Sequence, residues 1–189
     1  METIKLKIVG TSPLMMHSDR LANPLAPETK LHKALTAKRK KVDEDFLSIA
    51  KSEFLSGCYW HADEGFFIPG ANLDATFLGG AKLSKLGVHW RRGALVLEQR
   101  VKLLHEGPAT PAKLWEDPRF IDVRGVKIGA SKLMRYRPVF AAWAAELTVS
   151  LNTDVLDLGE AKKAIEDAGK LIGTCEFRPR FGRFAVQYV

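Results

Sequence analysis

Apolar and charged residues alternate at the head of the chain: Ile4, Leu6 and Ile8 share one parity and Lys5 and Lys7 the other. Period two is the mark of a strand with one buried face, so a first strand is predicted over residues 4–8. Gly10-Thr11-Ser12-Pro13 ends it, and a loop punctuated by Pro24 and Pro27 follows. Thr29 can then cap a single helix predicted over 30–54, with Leu31, Leu35, Phe46, Ile49, Ala50 and Phe54 as its apolar positions. Short extended pieces at 59–60 and 66–68 flank a turn at 61–65. A second helix is predicted over 73–86; its Gly79-Gly80 pair lowers helix propensity and marks close backbone packing. A strand over 94–97 precedes a proline-dotted loop at 105–118 that can still pack through Leu114 and Trp115. From Phe120 the alternation returns as a long hairpin turning near 129–131, followed by a strand over 143–151. An amphipathic helix starting at 157 or 158 and reaching 171 places Ala161, Ala164, Ile165, Ala168 and Leu171 on one face, and a last strand covers 183–189.

Set aside the inserted pieces and the order is strand, helix, strand, strand, helix, strand. That predicts an α+β, ferredoxin-like (RNA-recognition-motif-like) fold in one domain, 1–189, with insertions at about 12–60 and 105–137. Sheets of this kind are common platforms for single-stranded nucleic acid. There is no internal repeat and no low-complexity tract.

Composition changes the picture in one respect. At 46% hydrophobic and 27% charged the chain is ordinary for a globular protein, but its formal net charge is +7, so a polyanion will be drawn to it. Cys58 and Cys175 lie far apart without C-x-x-C spacing, which excludes a readable zinc or thioredoxin-like site and predicts free thiols in a reducing compartment. The first residues lack the apolar core of a signal peptide, so a cytoplasmic location with no membrane attachment is expected.

The basic residues are not evenly spread. Residues 169–186 follow a helix, supply glycines where the backbone can bend, and interleave Arg178, Arg180 and Arg183 with Phe177, Phe181 and Phe184. Guanidinium groups neutralise phosphate and stack on bases, and phenyl faces accept bases without regard to sequence. The plainer reading of any single phenylalanine here is burial in the core. In the hairpin, Lys127, Lys132, Arg135 and Arg137 stand with Arg119 and Arg124 against Asp122 alone, a bias that predicts a second line of phosphate contacts. Lys38-Arg39-Lys40-Lys41, followed by Asp43-Glu44-Asp45, reads first as a solvated helix face and then as a third, weaker contact. Five scattered histidines form no metal or triad pattern, and Gly79-Gly80-Ala81-Lys82 lacks the spacing of a phosphate-wrapping loop. No cofactor, metal or catalytic residue is assigned.

The segment 171–184, above all Gly173 followed by Phe177-Arg178-Pro179-Arg180-Phe181-Gly182-Arg183-Phe184, resembles the C-terminal glycine-rich motif of the RAMP superfamily. Phe67-Ile68-Pro69-Gly70-Ala71-Asn72-Leu73 is similar to the segment that opens that family's first core helix, and Arg135-Tyr136-Arg137-Pro138 to the stretch leading into its third core strand. Within that superfamily the resemblance is to backbone subunits of CRISPR effector complexes and to the small backbone-subunit-like proteins encoded by bacteriophages. After the first glycine the family commonly has a second glycine and an acid, where this chain has Thr174-Cys175-Glu176. The resemblance implies a palm with a helical thumb and a basic β-hairpin finger. Protomers would assemble head to tail along single-stranded RNA, or DNA, in a bacterial cell, with other CRISPR-type subunits as further partners. Two alternatives stay open: an endoribonuclease of the same fold acting through Asp19 or His17, and a protein-interaction module that mimics a CRISPR subunit.

Overall fold

The alternation at the head of the chain becomes β1 (Glu2–Gly10), with Ile4, Leu6 and Ile8 buried and Lys5 exposed. The computed structural model describes residues 1–189, the side chain of Ile128 excepted, as an α+β protein with antiparallel strand pairing. After β1 the elements are β2 (Leu14–Met15), α1 (Pro27–Ala37), α2 (Asp43–Gly57), β3 (Trp60–His61), β4 (Gly65–Pro69), α3 (Gly70–Leu83) and α4 (Gly87–Gly93). Then come β5 (Ala94–Val96), β6 (Arg100–Leu104), α5 (Pro111–Trp115), β7 (Ile121–Ile128), β8 (Ser131–Phe140), β9 (Ala144–Leu151), α6 (Leu158–Asp167) and β10 (Phe184–Tyr188). Among the described residues no helix is long and apolar enough to cross a membrane.

The chain divides into two compact units. The first comprises Met1–Met15, His61–Glu106 and Phe140–Val189; the second comprises Met16–Trp60 and Gly107–Val139.

In the first unit the strands run in the order β10-β1-β9-β6-β4, and β5 also pairs with β9. Ile8 lies opposite Val186 of β10 and Ala145 of β9, which makes β1 an interior strand of the sheet. Helix α3 follows β4 directly and buries Leu73, Phe77 and Ala81. It meets α6, which buries Ala161, Ala164 and Ile165; Leu171, expected on the same face, is exposed because the regular helix ends at Asp167 and a wider turn follows. The two backbones approach so closely that a Cβ at Gly80 would stand 2.1 Å from the Ala164 carbonyl oxygen, the close packing that the glycine pair predicts. Edge-to-face aromatic contacts link Trp90 to Phe77, Phe77 to Phe184 and Phe184 to Trp143, at centroid separations of 5.7, 6.3 and 6.3 Å. Phe184 is therefore core, as the plainer reading of these phenylalanines has it. His105 is wedged edge-on between Phe66 and Phe140, at 5.3 and 4.9 Å, and its burial holds the imidazole pKa below the ordinary range.

The second unit joins α1, α2 and α5 to the β7–β8 hairpin. Phe54 of α2 and Tyr136 of β8 pack on the Trp115 ring at 5.2 and 6.1 Å, and Leu114 is buried beside it. The proline-dotted stretch does pack through Leu114 and Trp115, as a short helix begun by Thr110, whose hydroxyl accepts the Lys113 N–H at 3.4 Å.

Two expectations change. The helix expected over 30–54 is two helices, and Lys38-Arg39-Lys40-Lys41 is the link between them rather than a helix face. The acidic run explains the break. Asp43, Glu44 and Asp45 sit in the first turn of α2, where the helix dipole favours them, and the Asp45 carboxylate accepts the Val42 N–H at 2.9 Å. A new helix start is thus stabilised where continuous periodicity predicts none. Strand β6 lies where the sequence analysis predicts no element. Val101 and Leu103 are buried between exposed Arg100, Lys102 and Leu104, a period-two run that was present to be read.

Candidate nucleic-acid interface

The C-terminal stretch begins where α6 runs into a wide helical turn, Ala168–Ile172, ended by Gly173 at φ +76°. From there to Arg183 the chain has no regular structure, yet its backbone is pinned at many points. Gly182 N–H donates to Pro13 O at 2.8 Å, Glu176 N–H to Met15 O at 3.1 Å, Thr174 N–H to Gly182 O at 2.9 Å and Thr11 N–H to Arg183 O at 2.8 Å. The Thr76 hydroxyl of α3 reaches Gly173 O at 3.2 Å, the Ser12 hydroxyl accepts the Arg183 N–H at 2.9 Å, and the Asn72 amide lies 3.8 Å from the Cys175 sulfur. The loop following β1, the start of α3 and the C-terminal stretch therefore form one knot of main chain. Gly182 is obligatory in it: φ is +74°, and a Cβ would stand 1.9 Å from the Thr174 carbonyl oxygen.

This knot carries side chains outward. Arg178 and Arg180 are exposed. Phe177 is 44% exposed and meets Phe181 edge to face at 5.8 Å. Phe177 and Cys175 both adopt left-handed backbone, φ +59° and +62°, a conformation that costs a side-chain-bearing residue about 1 kcal/mol or more and gathers at functional sites. Arg183 is exposed but partly committed, since its Nε donates to Pro179 O at 2.8 Å and braces the tip of the loop.

The hairpin treats its basic residues differently. Lys127 and Lys132 face each other across β7 and β8 near the turn, both exposed. Arg124 is bound in an ion pair with Asp122. Arg135 Nη1 contacts Glu53 Oε1 of α2 at 2.9 Å. Arg137 is 9% exposed. The expected continuous line of phosphate contacts is therefore cut short. Arg135 and Arg137 lie at alternate positions of one strand, Arg135 held by Glu53 and Arg137 buried opposite Asp122 of β7, while Lys127 and Lys132 are exposed.

The link Lys38–Lys41 is in part self-paired: Lys38 Nζ holds the Asp45 carboxylate at 2.7 and 2.9 Å, and Lys41 Nζ donates to Lys38 O at 2.6 Å. The Lys38 ammonium, foremost, holds the Asp45 carboxyl below the usual carboxylate range. Arg39 and Lys40 are exposed. Arg39 and Lys41 border a groove of about 730 Å³ that also takes in Lys132, Phe46, Leu133 and Met134. This brings the third contact to the second, a conjunction that their separation in sequence conceals.

Asp19 is exposed at the head of a single turn, Asp19–Ala22. His17 lines a cavity of the second unit together with His32, Glu53, Tyr136, Arg135 and Arg137. Glu53, His32 and Tyr136 are absent from the sequence-derived site, and no local signal singles them out. Among the described residues no group of three or more His, Cys, Asp or Glu side chains could hold a metal. Both thiols are inert in character: burial pushes the Cys58 pKa up to about 12 and that of Cys175 up to about 11.

Compared with models of protein families and with curated proteins, the chain finds no match in either.

Proposed function

We propose that the protein binds single-stranded nucleic acid, RNA in preference, without reading its sequence, and that it does so as a RAMP-type subunit with several copies along one strand. One observation carries this reading. The Gly173–Arg183 segment is fixed by main-chain hydrogen bonds while Arg178, Arg180 and Phe177 are exposed, with the half-buried Phe181 edge to face against Phe177. Fixed guanidiniums meet phosphates at little entropic cost, and an exposed phenyl face offers a base a stacking surface. Lys127 and Lys132 extend the positive surface of the hairpin, with Arg39 and Lys41 near them. The order β10-β1-β9-β6 with β5 beside β9, and helices α3 and α6 between strands, supports a ferredoxin-like palm, with the second unit supplying helical and hairpin insertions. The chemistry proposed is binding rather than catalysis.

The test is purification in high salt, followed by the 260 to 280 nm absorbance ratio, mass by light scattering, and treatment with RNase or DNase. Co-purified nucleic acid and a large assembly that RNase collapses are expected. A clean monomer that ignores added single strands would overturn the reading and leave the loop a structural clasp.

A further inference from the structure

We propose that the second unit carries a self-docking surface, in which the open groove beside α2 packs against the same surface of a second copy of this chain. The apolar stripe of α2 points to it. Ala50 and Phe54 are buried on that stripe, but toward the helix start it continues, at the same helical spacing, as Phe46 and Leu47, which are 58% and 61% exposed. Across the groove, of about 730 Å³, Leu133 and Met134 of β8 are exposed as well. Apolar side chains gathered in this way mark an interaction surface, where singly scattered ones would not. Methionine suits such a surface, because its unbranched thioether adapts to the shape of what it meets.

The charges around the groove select the occupant. Arg39 and Lys132 border it and are exposed, and Asp43 and Glu44 stand exposed in the first turn of α2, next to Phe46 and Leu47. None of these four forms an ion pair among the described residues, whereas Asp45 is answered by Lys38 and Glu53 by Arg135 within the chain. Charges of both signs therefore flank one apolar floor. A partner of one sign, such as a nucleic-acid strand or an acidic peptide, would meet the cations but be repelled by Asp43 and Glu44. A second copy answers both signs. Turned about a twofold axis, the acidic turn of each protomer faces Arg39 and Lys132 of the other, and Phe46 and Leu47 of each reach the partner's apolar wall. The groove is concave, which suits the ridge of a helix and not a flat lipid surface. Neither Arg178, Arg180 nor Phe177 lines it, so the contact does not rest on the nucleic-acid reading.

The test is sedimentation velocity of the nuclease-treated, full-length chain in physiological salt, over a roughly hundredfold range of concentration. A monomer–dimer equilibrium is expected, so an assembly collapsed by RNase should end as dimers. Phe46→Glu should weaken dimerisation by about tenfold or more with the thermal melt unchanged, since that side chain is exposed in the single chain. Two charge reversals sharpen the result. Asp43→Lys with Glu44→Lys sets like charges against the partner's cations, and Arg39→Glu with Lys132→Glu does the converse. Each should be monomeric alone, and an equimolar mixture of the two should dimerise. Because acids favour a helix start, the first is read beside its thermal melt, while the second lies outside the helices. A chain that stays monomeric at every concentration would overturn the proposal, as would wild-type association in Phe46→Glu or a mixture of folded reversals that fails to dimerise. A monomeric chain whose RNA affinity falls in Phe46→Glu would overturn it too and give the groove to the strand. Arg178→Ala with Arg180→Ala separates the two proposals: it should weaken RNA and leave the dimer unchanged.

Discussion

The C-terminal loop and the hairpin each carry three arginines, and the protein uses them in opposite ways. In the loop, Arg178 and Arg180 stand in solvent on a backbone that other main-chain groups hold in place, and Arg183 supports them by bonding to Pro179 O. In the hairpin, Arg124 is paired with Asp122, Arg135 with Glu53, and Arg137 is buried. A guanidinium opposite a carboxylate serves as a strut; one displayed on a rigid loop is open to an incoming anion. Counting basic residues in a segment cannot tell these roles apart, because the deciding carboxylate, Glu53, lies 82 positions from the arginine it engages.

The sharpest way to break the contrast is at Gly182. Gly182→Val forces a side chain against the Thr174 carbonyl in left-handed backbone, and should cost about 3 kcal/mol in denaturant unfolding while abolishing RNA binding. Replacing Arg178 and Arg180 together by alanine should lower RNA affinity roughly a hundredfold at low salt and reduce the slope of log affinity against log salt by about 0.7 per residue, with the melting temperature unchanged. Fluorescence anisotropy across a salt series would measure it, and an unchanged slope would remove the loop from the interface. The hairpin should answer the other way: Glu53→Gln is expected to destabilise the fold by about 2 kcal/mol and to leave the affinity for RNA within twofold. Phe177→Ala should cost about 1 kcal/mol of binding through lost stacking and nothing in stability.

The smallest effect lies outside both regions and serves as a control. Burial between Phe66 and Phe140 depresses the His105 pKa, so in the window below the ordinary value of 6.5 the unfolded chain binds more protons than the folded one. Stability should therefore be full above that value and decline as pH falls through the lowered folded-state pKa. His105→Phe should flatten the decline in a pH series of thermal melts, without altering RNA affinity at pH 7.

Much of the fold could be read before the structure. Period two marks β1, the hairpin and β9, and helical spacing marks α3 and α6, because each of these elements buries one face against the same neighbours along its whole length. The break at 38–42 was hidden because it depends on capping by Asp45 rather than on the apolar pattern, which runs through it. Of the candidate residues, Arg178, Arg180, Phe177, Lys127 and Lys132 are exposed as phosphate or base contacts must be. Arg137 is not: it is buried opposite Asp122 of β7, a placement that comes from strand pairing and is not visible in its own charge. Glu53, His32 and His17 converge only through tertiary packing, which no local spacing records.

The two thiols give the protein a practical property. Cys58 is buried and Cys175 half-buried, and burial raises the pKa of both thiols, so both should react with a maleimide at neutral pH more slowly than an exposed thiol. A cysteine introduced at an exposed position of the loop tip or of the hairpin turn would then accept a fluorophore selectively on the wild-type background. Dyes placed one at a time in this way would report whether an added strand comes to the loop, to the hairpin or to neither.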